Sequence, residues 1–121
     1  MKAHRAVLIA AVSFLLASSA ALAHHAVEND YDSEKPITLK GTVTKVQWKN
    51  PHVRLHLDGT TGRSPDVMDW EVELASPNLL ALSGLKINNL RPGDHLTVSA
   101  YPARNGSNSA YAKKVTRDAH Q

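Results

Sequence analysis

The sequence has no cysteine among its 121 residues, and this absence excludes several kinds of chemistry. It rules out a structural disulfide, a thiolate metal site, a cysteine nucleophile and a lipid-modified N-terminal cysteine. Any metal site must therefore use histidine, carboxylate, methionine or backbone ligands. A small domain without disulfides has to rely on its hydrophobic core for stability.

Common sequence signatures of enzymes are missing as well. The chain has no glycine-rich phosphate loop. The triplet Leu82-Ser83-Gly84 lacks the preceding glycine and the strand-to-helix setting of a nucleophile elbow. The sequence therefore predicts no catalytic residue, and we expect a role in binding rather than in catalysis.

Only one long apolar run is present, at residues 6–16, and its surroundings are typical of a secretory signal peptide. Lys2 and Arg5 charge the segment before it, and Ala21-Leu22-Ala23 supplies the small residues that signal peptidase needs. We expect removal of residues 1–23 and export to the periplasm. The alternative is an uncleaved membrane anchor, which is disfavoured by three serines that interrupt the apolar segment: Ser13, Ser18 and Ser19.

Removal of residues 1–23 would leave 98 residues, enough for one small domain with a single core. Because Lys2 and Arg5 go with the signal peptide, 12 of the 14 basic residues remain against 11 acidic ones, a net charge of +1. This balance gives no support for binding to nucleic acid or to a charged membrane surface. The mature part has no second apolar span, so we expect it to be soluble.

The alternation of apolar and polar residues predicts five strands after a polar N-terminal arm at residues 24–36. The predicted strands are residues 37–48, 52–58, 68–74, 95–103 and 110–117. Ser76-Pro77 is a helix start and Gly84 a helix end, which places one short helix between strands three and four. This order predicts a five-stranded OB-like Greek-key barrel over residues 37–121. An open antiparallel sheet with one helix is the alternative.

The first strand is long, and its apolar phase changes between Val43 and Val46, which predicts a β-bulge. Gly41 permits a sharp bend nearby. Met68 lies on the inward parity of strand three and is expected in the core. The other residues expected in the core are Val53, Leu55, Trp70, Val72, Leu80 and Val98.

Two histidines follow the predicted cleavage point directly. A mature N-terminal His24 offers both its α-amine and its imidazole to a metal, and His25 adds a second imidazole. Nitrogen ligands of this kind suit Cu(II) best among the common divalent ions, with Zn(II) as the other candidate. The alternative is a mobile chain end with two incidental histidines.

His52 and His56 share one face of strand two but lie four residues apart. That spacing corresponds to roughly 13 Å at about 3.3 Å per residue, so both rings cannot easily bind one metal ion. His52 follows the Asn50-Pro51 turn at the rim of the barrel and is the better partner for the N-terminal histidines. The predicted metal ligands are therefore His24, His25 and His52, and His56 is interpreted as a solvated strand histidine.

The outward face of strands two and three carries charges and histidines rather than an aromatic platform for bases, so no nucleic-acid partner is expected. A hairpin that places Arg54 opposite Glu71 would also place His52 near Glu73. A carboxylate beside His52 could orient its ring toward a metal. Ordinary cross-strand charge pairing is the alternative interpretation.

The mature chain resembles an uncharacterised family of small secreted bacterial proteins, known as a domain of unknown function. The segments that carry the resemblance are His24-His25, Gly41-Thr42-Val43, Trp48-Lys49-Asn50-Pro51-His52, Trp70-Glu71-Val72-Glu73, Ser76-Pro77, Leu90-Arg91-Pro92-Gly93-Asp94 and Asn105-Gly106-Ser107. The W-x-N-P-H segment is the most specific of these. The resemblance implies a bacterial, periplasmic protein but no reaction. The barrel is also similar to periplasmic OB-fold proteins in general, some of which bind copper.

These observations predict a periplasmic carrier or storage protein for a metal, copper before zinc, that uses its N-terminal histidines. A second hypothesis is an interaction or ligand-binding module, an accessory to another periplasmic protein, that uses the face of strands two and three. A third is an oxidative copper enzyme, for which the sequence shows no substrate surface.

Overall fold

The computed structural model describes Val27 and residues 29–118. The chain divides into two units, Met1–Asp30 and Tyr31–Gln121. The described part of the second unit contains five strands and two short helices. These are β1 (Ile37–Gln47), β2 (Arg54–Thr61), β3 (Met68–Glu73), α1 (Pro77–Leu82), a 3₁₀ turn (Ile87–Asn89), β4 (His95–Pro102) and β5 (Ser109–Arg117).

The strands form a closed barrel in the order β1-β2-β3-β5-β4, with β4 returning to β1. All neighbours are antiparallel except β3 and β5, which are parallel. The predicted fold class, a five-stranded OB-like barrel with one helix between strands three and four, is therefore confirmed. Closure gives every strand a neighbour on both sides, although β3 and β5 pair over only three residues each.

The first strand bends as its sequence predicts. The register between β1 and β2 shifts between Val43 and Lys45, which is the position of the phase change. A bulge there increases the local twist and lets one strand pair with β2 from Leu39 to Gln47 and with β4 from Ile37 to Thr42.

One core fills the barrel, and its members alternate along the strands. The fully buried residues are Leu39, Val43, Val53, Leu55, Leu57, Val72, Leu74, Leu96, Val98, Ala100 and Ala110, with Trp70 and Leu90 nearly so. Five of the seven residues expected in the core are thus confirmed. Leu80 is one exception, since it is only partly buried against the core.

The prediction that Met68 belongs to the core is wrong, because its side chain is 44% exposed. Met68 is the first residue of β3 and pairs with Gly59 near the rim of the barrel. At this end of the strand, a side chain on the inward-facing side lies beyond the end of the core rather than within it.

The helix begins and ends where the sequence predicts. The Ser76 hydroxyl accepts a hydrogen bond from the Leu79 amide, and Gly84 follows the helix with a φ of 87°, a conformation that favours glycine. Its packing differs from expectation, since Leu79 and Leu82 are 59% and 85% exposed. A helix of six residues is too short to lay a full apolar stripe on the barrel.

Candidate functional site

Glu73, the last residue of β3, is the centre of a polar cluster at one end of the barrel. Its Oε1 lies 2.6 Å from Nδ1 of His52. Its Oε2 accepts a hydrogen bond from the Tyr31 hydroxyl at 2.7 Å. The His52 and Glu73 side chains are 28% and 21% exposed, so the pair is partly sheltered but still accessible.

The backbone around this cluster is held by hydrogen bonds beyond the regular strands. The Leu74 amide donates to the Val53 carbonyl at 2.8 Å. This bond joins the residues that directly follow Glu73 and His52, and it holds the two chain segments together. The Asp32 amide donates to the Pro102 carbonyl at 2.8 Å. An antiparallel bridge between Tyr31 and Ala103 extends this pairing. The segment predicted to be an arm is therefore attached to the end of β4 at this point.

Tyr111 of β5 completes the cluster. It pairs with Glu73 in the parallel β3–β5 ladder. Its ring lies edge-on to the His52 ring, with centroids 6.3 Å apart, and is tilted against the Tyr31 ring at 5.7 Å. Burial raises the pKa of the Tyr111 phenol above its usual value of 10.0, and the nearby charge of Glu73 raises it further. Tyr111 is therefore a neutral group over a wide range of pH.

This shift predicts how Tyr111 behaves in alkaline solution. Because its pKa is higher in the folded than in the unfolded protein, its contribution to stability is complete below pH 10.0 and is lost as the pH rises above that value. In a titration of phenolate absorbance, the signal that Tyr111→Phe removes should develop above pH 10.0. Unfolding with urea should lower the midpoint of that signal to the ordinary pKa of a tyrosine, 10.0. If the absorbance difference between the folded native protein and Tyr111→Phe has its midpoint at or below pH 10.0, the burial of Tyr111 is contradicted.

The contact with Glu73 sets the chemistry of the His52 ring. A carboxylate only accepts hydrogen bonds, so Nδ1 carries the proton in the neutral ring and Nε2 keeps a lone pair. An imidazole held in this way by a carboxylate is the usual arrangement behind a metal-binding histidine. The second oxygen of Glu73 is occupied by Tyr31, which fixes the carboxylate in turn. The cluster thus presents one oriented nitrogen ligand.

The other polar side chains of β2 and β3 form separate pairs. Arg54 lies 3.3 Å from Glu71, and both are more than 40% exposed. His56 Nδ1 lies 3.5 Å from an oxygen of Asp69, whose side chain is 69% exposed. His52 and His56 therefore have different carboxylate partners, as the strand spacing predicts.

The register behind these contacts differs from the predicted one by two residues. The Cα partner of Arg54 is Glu73, and that of His56 is Glu71. A shift of two preserves the faces of both strands, so the predicted side-chain pairs still form, along the diagonals of the ladder. The contact of His52 with Glu73 is confirmed, whereas the directly opposed pairing is wrong.

Two members of the cluster, Tyr31 and Tyr111, are not predicted from the sequence as site residues. Tyr31 is the only aromatic residue in the polar segment 24–36, which is a weak signal of an anchoring role. Tyr111 reaches the cluster only through the parallel pairing of β3 with β5, which no local pattern reveals.

Two of the three predicted metal ligands, His24 and His25, lie outside the described residues. Within Val27 and residues 29–118, no group of three or more histidine, aspartate or glutamate side chains is arranged to hold a metal ion. Among the helices of that same part, none has the length and apolar character needed to cross a membrane.

The model of a family of unknown function, DUF6152, matches residues 11–112. No curated protein matches the chain.

Proposed function

The chain belongs to the DUF6152 family, whose function is unknown, and we propose that it is an exported copper-binding carrier or storage protein. In this proposal Cu(II) is bound by His24 and His25 of the mature N-terminus together with His52. The observation that carries the proposal is the position of Glu73, which holds both His52 and Tyr31. One carboxylate thus orients a nitrogen ligand and anchors the segment that leads to the other two.

The length of the chain allows the three histidines to meet. Tyr31 follows His25 by six residues, so the segment between them can span at most about 20 Å. Anchoring Tyr31 next to His52 keeps the N-terminal histidines within that radius and raises their effective concentration at the ring. The contact of Tyr31 with Glu73 therefore favours a shared site over two independent ones.

The donor set favours copper. It consists of one α-amine and three imidazoles, with neither a thiolate nor a carboxylate bound directly to the metal. Divalent copper binds such nitrogen ligands more tightly than zinc does. Binding has to displace protons from the imidazoles and from the α-amine, so the affinity should fall as the pH is lowered.

The proposed location follows from the signal peptide. Export and cleavage before His24 would create the free amine outside the cytoplasm, where no competing thiolate is supplied by this chain. In the periplasm the protein would receive its metal from, or pass it to, another protein. Zn(II) is the second metal that this ligand set accepts.

The test compares two histidine variants from the same strand region. Mass spectrometry first establishes that the exported protein starts at His24. In calorimetric titrations with Cu(II), His52→Ala should weaken binding by at least about tenfold, because the ring held by Glu73 is lost. His56→Ala should leave the affinity unchanged, since His56 is paired with Asp69 instead.

Equal affinities of the two variants would contradict the role of His52. A processed protein that binds no Cu(II) at all would overturn the metal proposal. The function would then be the alternative one, a ligand-binding or protein-interaction module that uses the charged outer face of β2 and β3.

A further inference from the structure

A groove of about 500 Å³ lies between α1 and β5, and none of the residues of the Glu73 cluster lines it. Its walls are mainly apolar. Its larger apolar lining residues are Leu74, Leu79, Leu80, Leu85 and Val115. Its volume lies within the range of small-molecule sites, about 300–1,000 Å³.

The helix above the groove does not close it. None of the residues of α1 is buried, and Leu79 lines the groove with 59% of its surface exposed. An apolar groove that stays open to solvent on a small domain marks a place where something binds.

Two lysines give the groove a charge. Ser99 pairs with Lys114 and Ala100 pairs with Ala112, so Lys113 is an extra residue in a β-bulge. Consecutive side chains of a regular strand point to opposite faces, but a bulge redirects one of them. Lys113 and Lys114 both line the groove as a result, and none of the described residues that line it is acidic.

We propose that this groove binds a single-chain carboxylate amphiphile, such as a free medium-chain fatty acid. The leucine-lined wall would cover the hydrocarbon chain, and the paired lysines would hold the carboxylate. Burial of the chain supplies the affinity, while the charge selects the acid over a neutral amphiphile of the same length. None of the proposed copper ligands lines the groove, so this site is independent of the copper site.

The test titrates the isotopically labelled protein with decanoate below its micelle concentration and follows amide chemical shifts by NMR. Shifts should be confined to residues 74–85, which include α1, and to the segment of β5 that contains Ala112 and Val115. Each added methylene of the fatty acid should raise the affinity by up to about fourfold until the groove is filled. Decanol serves as the neutral probe with the same chain.

Two pairs of variants separate the roles of the wall and of the charge. Leu79→Ser should weaken decanoate binding by about fivefold, whereas Leu82→Ser, on the same helix but outside the groove, should not. The double change Lys113→Gln and Lys114→Gln should weaken decanoate by about threefold to tenfold and leave decanol unchanged. The matched double change Lys40→Gln and Lys45→Gln on β1 should affect neither probe.

Several results would overturn the proposal. They are the absence of saturable shifts below the micelle concentration, shifts scattered over the whole surface, or equal effects of Leu79→Ser and Leu82→Ser. Dimers that form with rising protein concentration and shift the same resonances without decanoate would assign the groove to a second copy of the chain. His52→Ala should leave decanoate binding intact, so failure of either proposal is distinguishable from failure of the other.

Discussion

Acetylation confined to the His24 α-amine should lower the Cu(II) affinity of the protein that starts at His24 by about 100-fold. Acetylation converts this amine into an amide, so the proposed site loses a nitrogen donor and the chelate ring that joins the amine to the His24 imidazole. His24→Ala keeps the free amine but loses the imidazole, and it should weaken binding strongly as well. Calorimetric competition titration with a chelator of known affinity measures both losses.

The control for this experiment is the fold of the acetylated protein. Its urea unfolding curve should match that of the native protein, which assigns the loss of affinity to the blocked amine and not to misfolding. Native affinity in both the acetylated protein and His24→Ala would place the metal elsewhere.

Gly41→Ala should lower the free energy of unfolding by about 3 kcal/mol. Gly41 and Gly59 face each other across β1 and β2. A Cβ at position 41 would lie 2.6 Å from the Asp58 carbonyl oxygen and 2.7 Å from the Gly59 Cα. Both atoms belong to the backbone of β2, so relief requires the two strands to separate. Urea unfolding followed by tryptophan fluorescence measures the change.

Gly62→Ala is the matched control for this substitution. A Cβ at position 62 meets no atom within 4 Å, so its effect should stay within about 0.5 kcal/mol. Similar losses for the two variants would show that the close approach at Gly41 does not determine the stability of the β1–β2 pair.

Local patterns account for most of the barrel. The phase change between Val43 and Val46 marks the bulge in β1, and the Ser76 cap with Gly84 marks both ends of α1. These features depend on neighbours in sequence, so composition and parity are enough to find them. Parity fails at Met68 because it says which face a residue occupies but not where the core ends along the strand.

The candidate site was only partly predictable for a related reason. His52 and Glu73 lie on matching faces of consecutive strands, so their contact follows from parity even with the register wrong by two residues. The bond between Tyr31 and Glu73 spans 42 residues of sequence, and it depends on pairing between the arm and β4. Tyr111 depends on closure of the barrel through β3 and β5. Such long-range placements leave no periodic signal in the sequence.

The central claim is that His52 and the mature N-terminus bind the same copper ion. Pulsed EPR of the processed protein loaded with one equivalent of Cu(II) tests it most directly, because the remote nitrogen of each coordinated imidazole gives its own modulation. The account predicts more than one imidazole in the native spectrum, one fewer in His52→Ala and no change in His56→Ala. A native spectrum identical to that of His52→Ala would contradict it.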